Sequence, residues 1–220
     1  MQQAALTHIG TYSRNLGASL ARMFENALDW EHLPHLHSSS FGAIRLLQSD
    51  ATGWRAEASL PGRTEPSMIL DLRLNRDTGV WVTQTRQGET LLGEIRTTAT
   101  STGPRSCHIA AEFHLPGIAT EQVPAMAEFY TSLYQTLYDE DEAMMIARQD
   151  SIDSPDKGWR EVGGYRIPNA CPHLGLPLDA EPDEAGIVTC RWHGYRFDAA
   201  TGLCVSGARC GWLAAADQTR

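Results

Sequence analysis

Two short clusters late in the sequence combine residue types that bind soft metals. Cys171 and His173 form a C-x-H pair, and after sixteen intervening residues Cys190 and His193 form a C-x-x-H pair. Two thiolates and two imidazoles can close a four-ligand site. Zinc accepts that set, but structural zinc sites more often pair Cys with Cys and His with His. One Cys and one His in each loop suits a [2Fe–2S] cluster, with both cysteines on one iron and both histidines on the other. A zinc knuckle is the competing reading. Four of the five cysteines fall after residue 170, and in a reducing compartment such a cluster reads as metal binding before disulfides. Cys204 and Cys210 have no ligand role in the pattern and are expected as small buried thiols.

The stretches NACPHLGLPLD (Asn169–Asp179) and TCRWHGYRFDAATGLCVSG (Thr189–Gly207) resemble the two cluster-binding loops of the Rieske family. The resemblance implies that Cys171 and Cys190 hold the buried iron and His173 and His193 the outer one. Respiratory members carry an extra Cys in each loop and a Ser beside the second His; here the corresponding positions are Leu176, Trp192 and Tyr195. Without those groups the potential is expected toward the low end of the roughly −150 to +300 mV Rieske range. That is the oxygenase and ferredoxin type.

A second constellation lies in Phe24–His37, FENALDWEHLPHLH. Taken alone, three histidines in six residues read as surface groups at a helix end. The segment also resembles the mononuclear iron motif of Rieske oxygenases, E-x3-D-x2-H-x4-H, met here by Glu25, Asp29, His32 and His37. By that resemblance His32 and His37 are two ligands of a two-histidine, one-carboxylate site, which binds Fe(II) on one face and leaves positions open for oxygen. Asp29 and His32 are i,i+3 neighbours, so the carboxylate can orient the imidazole. His32 and His37 are about 140° apart on an ideal helix and cannot both chelate from a regular one. Pro34 removes a backbone donor between them and is expected to break the helix there. His35 remains a rival ligand.

The third ligand is sought in Asp139-Glu140-Asp141-Glu142. An apolar stripe, Met126, Tyr130, Tyr134 and Leu137, continues at 3–4 spacing to residue 141 and then to Met144 and Met145. Asp141 therefore falls on the buried face, whereas Asp139 is about 200° away. A buried carboxylate is costly unless paired or bound to metal. The family's closing helix also carries an Asp followed eight positions later by a Gln, as Asp141 and Gln149 do. Asp139, Glu140 and Glu142 read as a charged helix patch.

These residues need elements to hold them. Leu16 to His37 reads as helical, with Leu20, Met23, Phe24, Ala27 and Leu28 on one face. Strand-like segments follow at Phe41–Gln48, Gly53–Leu60, Met68–Leu74, Gly79–Thr85, Leu91–Thr98 and Ser106–Leu115, parted by turn residues. His108 and His114 share one parity of the last strand and are expected as ordinary strand residues. Trp54, Trp81, Tyr130 and Tyr134 are expected in the core. Glu121–Gln149 gives one long helix entered through Pro124. Asp150–Gly158 reads as a linker, and Trp159–Ala216 as a small β module.

The expected fold is α+β. Residues 1–150 resemble the helix-grip (START/Bet v 1-like) catalytic domain of Rieske oxygenases, an antiparallel sheet around a long helix; residues 151–220 resemble their all-β cluster domain. The domain order is the reverse of the family's usual one. The resemblance implies a terminal oxygenase. Electrons from a reductase or ferredoxin would enter the [2Fe–2S] cluster and pass to a mononuclear Fe(II). There O2 and a small apolar or aromatic substrate would meet, giving hydroxylation, dihydroxylation or oxidative dealkylation. It also implies a homo-oligomer, a trimer, with Asp29 as the catalytic bridge to a cluster histidine. The alternative is a Rieske ferredoxin-like carrier or redox sensor fused to a ligand-binding helix-grip domain.

Net charge is −9, from 18 basic and 27 acidic residues, which argues against nucleic acid or anionic membrane as partner. The longest apolar runs, Ala143–Ala147 and Trp212–Ala216, are far short of the roughly 20 residues of a membrane span. Met1–Gly10 lacks signal-peptide character, so the cytoplasm is expected.

Overall fold

The computed structural model describes residues 5–155, 157–207, 210 and 211. It divides into two units, Met1–Glu142 and Ala143–Arg220, and the division falls inside one long helix. The apolar run Trp212–Ala216 lies outside the described residues.

The first unit is a seven-stranded antiparallel sheet. Its strands are β1 (Leu6–Leu16), β2 (Ile44–Asp50), β3 (Gly53–Ala58), β4 (Met68–Asn75), β5 (Val80–Gln87), β6 (Thr90–Gly103) and β7 (Ser106–Pro116), in the order β1-β7-β6-β5-β4-β3-β2. In β7 every second residue is buried, from Cys107 through Phe113 to Leu115, the two-residue period of a sheet with one covered face. The turn at Asp77-Thr78-Gly79 needs its glycine twice over. Gly79 has φ +68°, and a Cβ there would sit 2.4 Å from the Ala99 carbonyl oxygen.

The long helix α3 (Val123–Asp153) follows a short 3-10 turn, Thr120–Gln122. Ile9, Ala111, Phe113 and Leu115 form a buried cluster against which Met126, Tyr130 and Tyr134 pack. The Phe113 ring lies 5.2 Å from Tyr130 and 4.9 Å from Tyr134, centroid to centroid. Arg14 of β1 bonds Asp139 and Glu142, and Glu142 also accepts from the Gly17 amide. The helix thus grips the sheet through an apolar stripe and an ionic clasp.

The stretch expected as one helix from Leu16 to His37 is different. Leu6–Leu16 is strand β1, at the edge of the described sheet and paired there with β7. Helix α1 (Leu20–Leu28) starts at Ser19, whose hydroxyl accepts from the Arg22 amide, and ends at Asp29. The Asp29 carboxylate accepts from the Glu31 amide at 3.2 Å, a local bond that competes with helix continuation. Pro34 therefore does not break a helix. It opens the single turn α2 (Leu33–Leu36), where a missing N–H costs nothing.

Helix α3 also runs four residues beyond the expected end, so the linker expected from Asp150 begins as helix. In the second unit β8 (Trp159–Val162) pairs with β9 (Tyr165–Pro168), and β10 (Ile187–Thr189) with β11 (Arg196–Asp198). Ile167, Leu176, Leu178, Val188 and Phe197 are almost wholly buried. The Arg160 guanidinium donates to four acceptors, among them the Leu178 and Ala180 carbonyls. Cys204 and Cys210 are half-buried rather than buried, and none of the five cysteines is joined in a disulfide among the described residues. Among the described residues no helix is long and apolar enough to cross a membrane.

Candidate metal centres

His32 and His37 stand at the two ends of α2, its N-cap and C-cap. One helical turn thus brings together two residues that a regular helix would splay apart. Asp141 reaches them from α3. His37 Nε2 lies 3.0 Å and His32 Nε2 3.4 Å from Asp141 Oδ1. The three donor atoms fall within 4.8 Å of one another, and all three residues are buried. His35, the rival ligand, is exposed and stands outside this group. Glu25 pairs with Arg22.

Each imidazole has a carboxylate on its far side. His37 Nδ1 donates to Glu140 Oε2 at 2.7 Å, and Asp29 Oδ2 lies 3.6 Å from His32 Nδ1. His37 Nε2 is itself hydrogen-bonded to Asp141 Oδ1; with a metal bound, carboxylates on the Nδ1 side would keep the proton there and leave each Nε2 lone pair for the ion. Asn26 of α1, also buried, donates from Nδ2 to Asp141 Oδ1 at 2.9 Å. Burial opposes charge on His37, yet the bonds and charges of Asp141 and Glu140 raise its pKa above the ordinary value. Burial likewise pushes the Asp141 carboxyl up, but the bond from His37, the charges of His37 and His32, and the Asn26 bond bring it below the usual range.

Two imidazole nitrogens and one carboxylate oxygen, buried and convergent, suit a divalent transition metal with positions left open. Asn26 and Glu140 are the members that sequence reasoning missed. Glu140 is a partner of His37 rather than part of a solvated patch, and Glu142 is tied to Arg14 and Gly17.

The triad lines a cavity of about 490 Å³ in the first unit. Trp54, Trp81, Phe41, Tyr130 and Tyr134 contribute to its wall, so the aromatic residues expected in the core double as lining. Trp54 Nε1 donates to the Ala27 carbonyl at 3.0 Å. Tyr138, deeply buried, stays protonated because burial raises its pKa well above the ordinary value, although its bond with Thr97 opposes the shift. His108 and His114 take the parity opposite the buried residues of β7, outside the cavity lining.

In the second unit the two cysteine loops share one shape. The Cys171 amide donates to the Leu176 carbonyl at 2.7 Å and the Gly175 amide to the Cys171 carbonyl at 2.8 Å. The Cys190 amide donates to Tyr195 at 2.8 Å and the Gly194 amide to Cys190 at 2.9 Å. Both glycines have positive φ, +72° and +65°, a region where a Cβ is penalised. The loops face each other. The His173 and His193 rings lie 4.7 Å apart at 85°, and Cys171 and Cys190 are buried and hydrogen-bonded. Of this thiol pair Cys190 is the acidic member, lowered to about 5 because it accepts from Cys171 and, further, from His193; the same bond pushes Cys171 up.

Two thiols and two imidazoles on facing loops fit a [2Fe–2S] cluster ligated by sulfur on one side and nitrogen on the other. Leu176 and Trp192 are both buried, and Trp192 Nε1 donates to the Pro177 carbonyl at 3.0 Å. The indole thus joins the loops by a hydrogen bond. From α3, Arg148 donates to the Leu174 carbonyl and Ser151 to the Gly175 carbonyl.

Residues 136–214 match the Rieske [2Fe–2S] domain. No curated protein matches the chain. Among solved structures, the Zhui aromatase/cyclase from Streptomyces sp. R1128 is similar over 66% of this chain and 96% of its own, at 8% identity and a TM-score of 0.51. Norcoclaurine synthase from Thalictrum flavum covers 66% of this chain and 88% of its own at 16% identity, with a TM-score of 0.49. A START superfamily protein from Mycobacterium smegmatis covers 64% and 98% at 15% identity, with a TM-score of 0.48. The first of these likenesses shows a shared helix-grip fold.

Proposed function

We propose that the chain is the terminal oxygenase component of a Rieske non-heme iron system. Residues 1–150 act as the catalytic domain and 151–220 as the electron-entry domain. The observation that carries this reading is the buried convergence of His32, His37 and Asp141 on the wall of an apolar cavity, in a chain with a Rieske domain. A carrier has no use for two imidazoles and a carboxylate converging on the wall of a ligand-sized cavity.

In this reading Cys171, His173, Cys190 and His193 hold the cluster, and His32, His37 and Asp141 hold Fe(II). The bound metals together supply reductive activation of O2, with electrons delivered from a reductase or ferredoxin. The residues supply the rest. Glu140 takes the Nδ1 proton side of His37 and leaves Nε2 as a donor. Asn26 keeps the Asp141 carboxylate from rotating away. Asp29 orients His32. The cavity wall excludes water and holds a small apolar substrate with one carbon at the triad, for hydroxylation, dihydroxylation or oxidative dealkylation. The working form is a soluble homo-oligomer, a trimer by family resemblance, in the cytoplasm.

Metal analysis of the iron-loaded protein with EPR tests this. The expected result is about three irons per chain, two in a Rieske signal and one mononuclear. Oxygen uptake should follow when a reductant and an apolar substrate are supplied. Two irons per chain with a Rieske signal alone, after full loading, would leave an electron carrier.

A further inference from the structure

The cavity at the triad has a chemical bias in its walls. On β5, Trp81, Thr83 and Thr85 line it, while Gln84 and Arg86 point the other way, Gln84 bonding Glu94 and Arg86 bonding Gln84. On β4 the same alternation presents Met68, Leu70 and Leu72. Strand pairing sets Thr83 beside Leu72 and Thr85 beside Leu70, so the two hydroxyls sit in an apolar wall. Neither hydroxyl is engaged by another group among the described residues. Thr97, by contrast, is bonded to Tyr138.

The charges are one-sided. Among the described lining residues there is no lysine or arginine, and the lining carboxylates are Asp29 and Asp141, with Glu140 behind His37. A divalent ion at the triad would cancel two of these three negative charges and leave the region formally anionic. An anionic ligand would lose its hydration and meet no basic side chain, while the ion at the triad is already outweighed by the three carboxylates around it. An uncharged ring system would fill the aromatic and aliphatic wall, and a hydroxyl or carbonyl on it would answer the two threonines. The volume, about 490 Å³, lies within the span of roughly 300–1,000 Å³ usual for clefts that hold small organic ligands.

We infer that the molecule this cavity takes is an uncharged, ring-bearing compound with a hydroxyl or carbonyl group held by Thr83 and Thr85, and that carboxylated analogues are rejected. The inference rests on the reading that the cavity is where a substrate is transformed, but it is tested by binding alone. Quenching of tryptophan fluorescence in the metal-loaded protein would be titrated with 2-naphthol, naphthalene and 2-naphthoate.

The expected order is 2-naphthol first, naphthalene roughly 3- to 10-fold weaker for want of the hydrogen bond, and 2-naphthoate more than about tenfold weaker than 2-naphthol. A Thr83→Val/Thr85→Val double variant should bind 2-naphthol no better than naphthalene, and a Thr83→Ser/Thr85→Ser variant should restore the preference. Naphthalene affinity checks that either variant is folded; if the valine variant fails that check, the wild-type order decides. Undetectable 2-naphthol binding, 2-naphthoate binding as tight as 2-naphthol, or an unchanged 2-naphthol preference in the folded valine variant would each overturn the inference. Iron content is read separately. The expected binding order without mononuclear iron keeps the ligand class and loses the oxygenase, whereas full iron with tight 2-naphthoate binding does the reverse.

Discussion

Cys171, His173, Cys190 and His193 lie within 23 positions of one another, in two loops of one shape. His32, His37 and Asp141 are drawn from helices more than a hundred residues apart, and three further polar side chains hold them in line. The cysteine–histidine loops carry their own geometry. Each cysteine amide and carbonyl is bonded within its loop, and each turn is made by a glycine at positive φ. The triad has no geometry until α1, α2 and α3 are packed. A local site can be damaged by one residue of its loop, whereas a tertiary site can be loosened from a distance.

Substitutions should show that asymmetry. Cys171→Ser should abolish the cluster, since a hydroxyl does not replace the thiolate. Loss of the Rieske EPR signal and visible absorption would be accompanied by retention of the mononuclear iron. Loss of both metals would mean that the first site depends on the second. Glu140→Gln should act only on the triad. By weakening the support of His37 it should lower mononuclear metal affinity by about 10- to 100-fold, read by chelator competition, with the cluster spectrum unchanged.

Smaller effects are expected from the loop supports. Gly175→Ala forces a Cβ into the left-handed region, at a cost of about 1–2 kcal/mol, measured as a lower denaturation midpoint for cluster loss. Trp192→Phe removes the bond to the Pro177 carbonyl while keeping the ring. It should cost about 1 kcal/mol in the same assay and leave the cluster bound.

The contrast also explains what could be read from the sequence. Strands β3 to β7 announce themselves by alternation and turn residues, and both cysteine loops by spacing. Strand β1 does not. Only Ile9 and Leu16 are buried in it, so LTHIGTYSRNL carries too little apolar signal to be seen before β7 is there to pair with it. The helix break was expected at Pro34, yet the Asx bond of Asp29 ends α1 earlier, a local competition that periodicity does not reveal. Asp141 was legible because a carboxylate on an apolar stripe is anomalous. Asn26 and Glu140 were not, because an amide or acid on a helix is ordinary until a partner from another helix reaches it.

The central claim is that the first unit holds a metal of its own through Asp141. The direct measurement is iron content and EPR of Asp141→Ala beside the unaltered protein. The account predicts loss of about one iron per chain together with the mononuclear signal, while the Rieske signal is unchanged. Retention of all the iron in Asp141→Ala would contradict it.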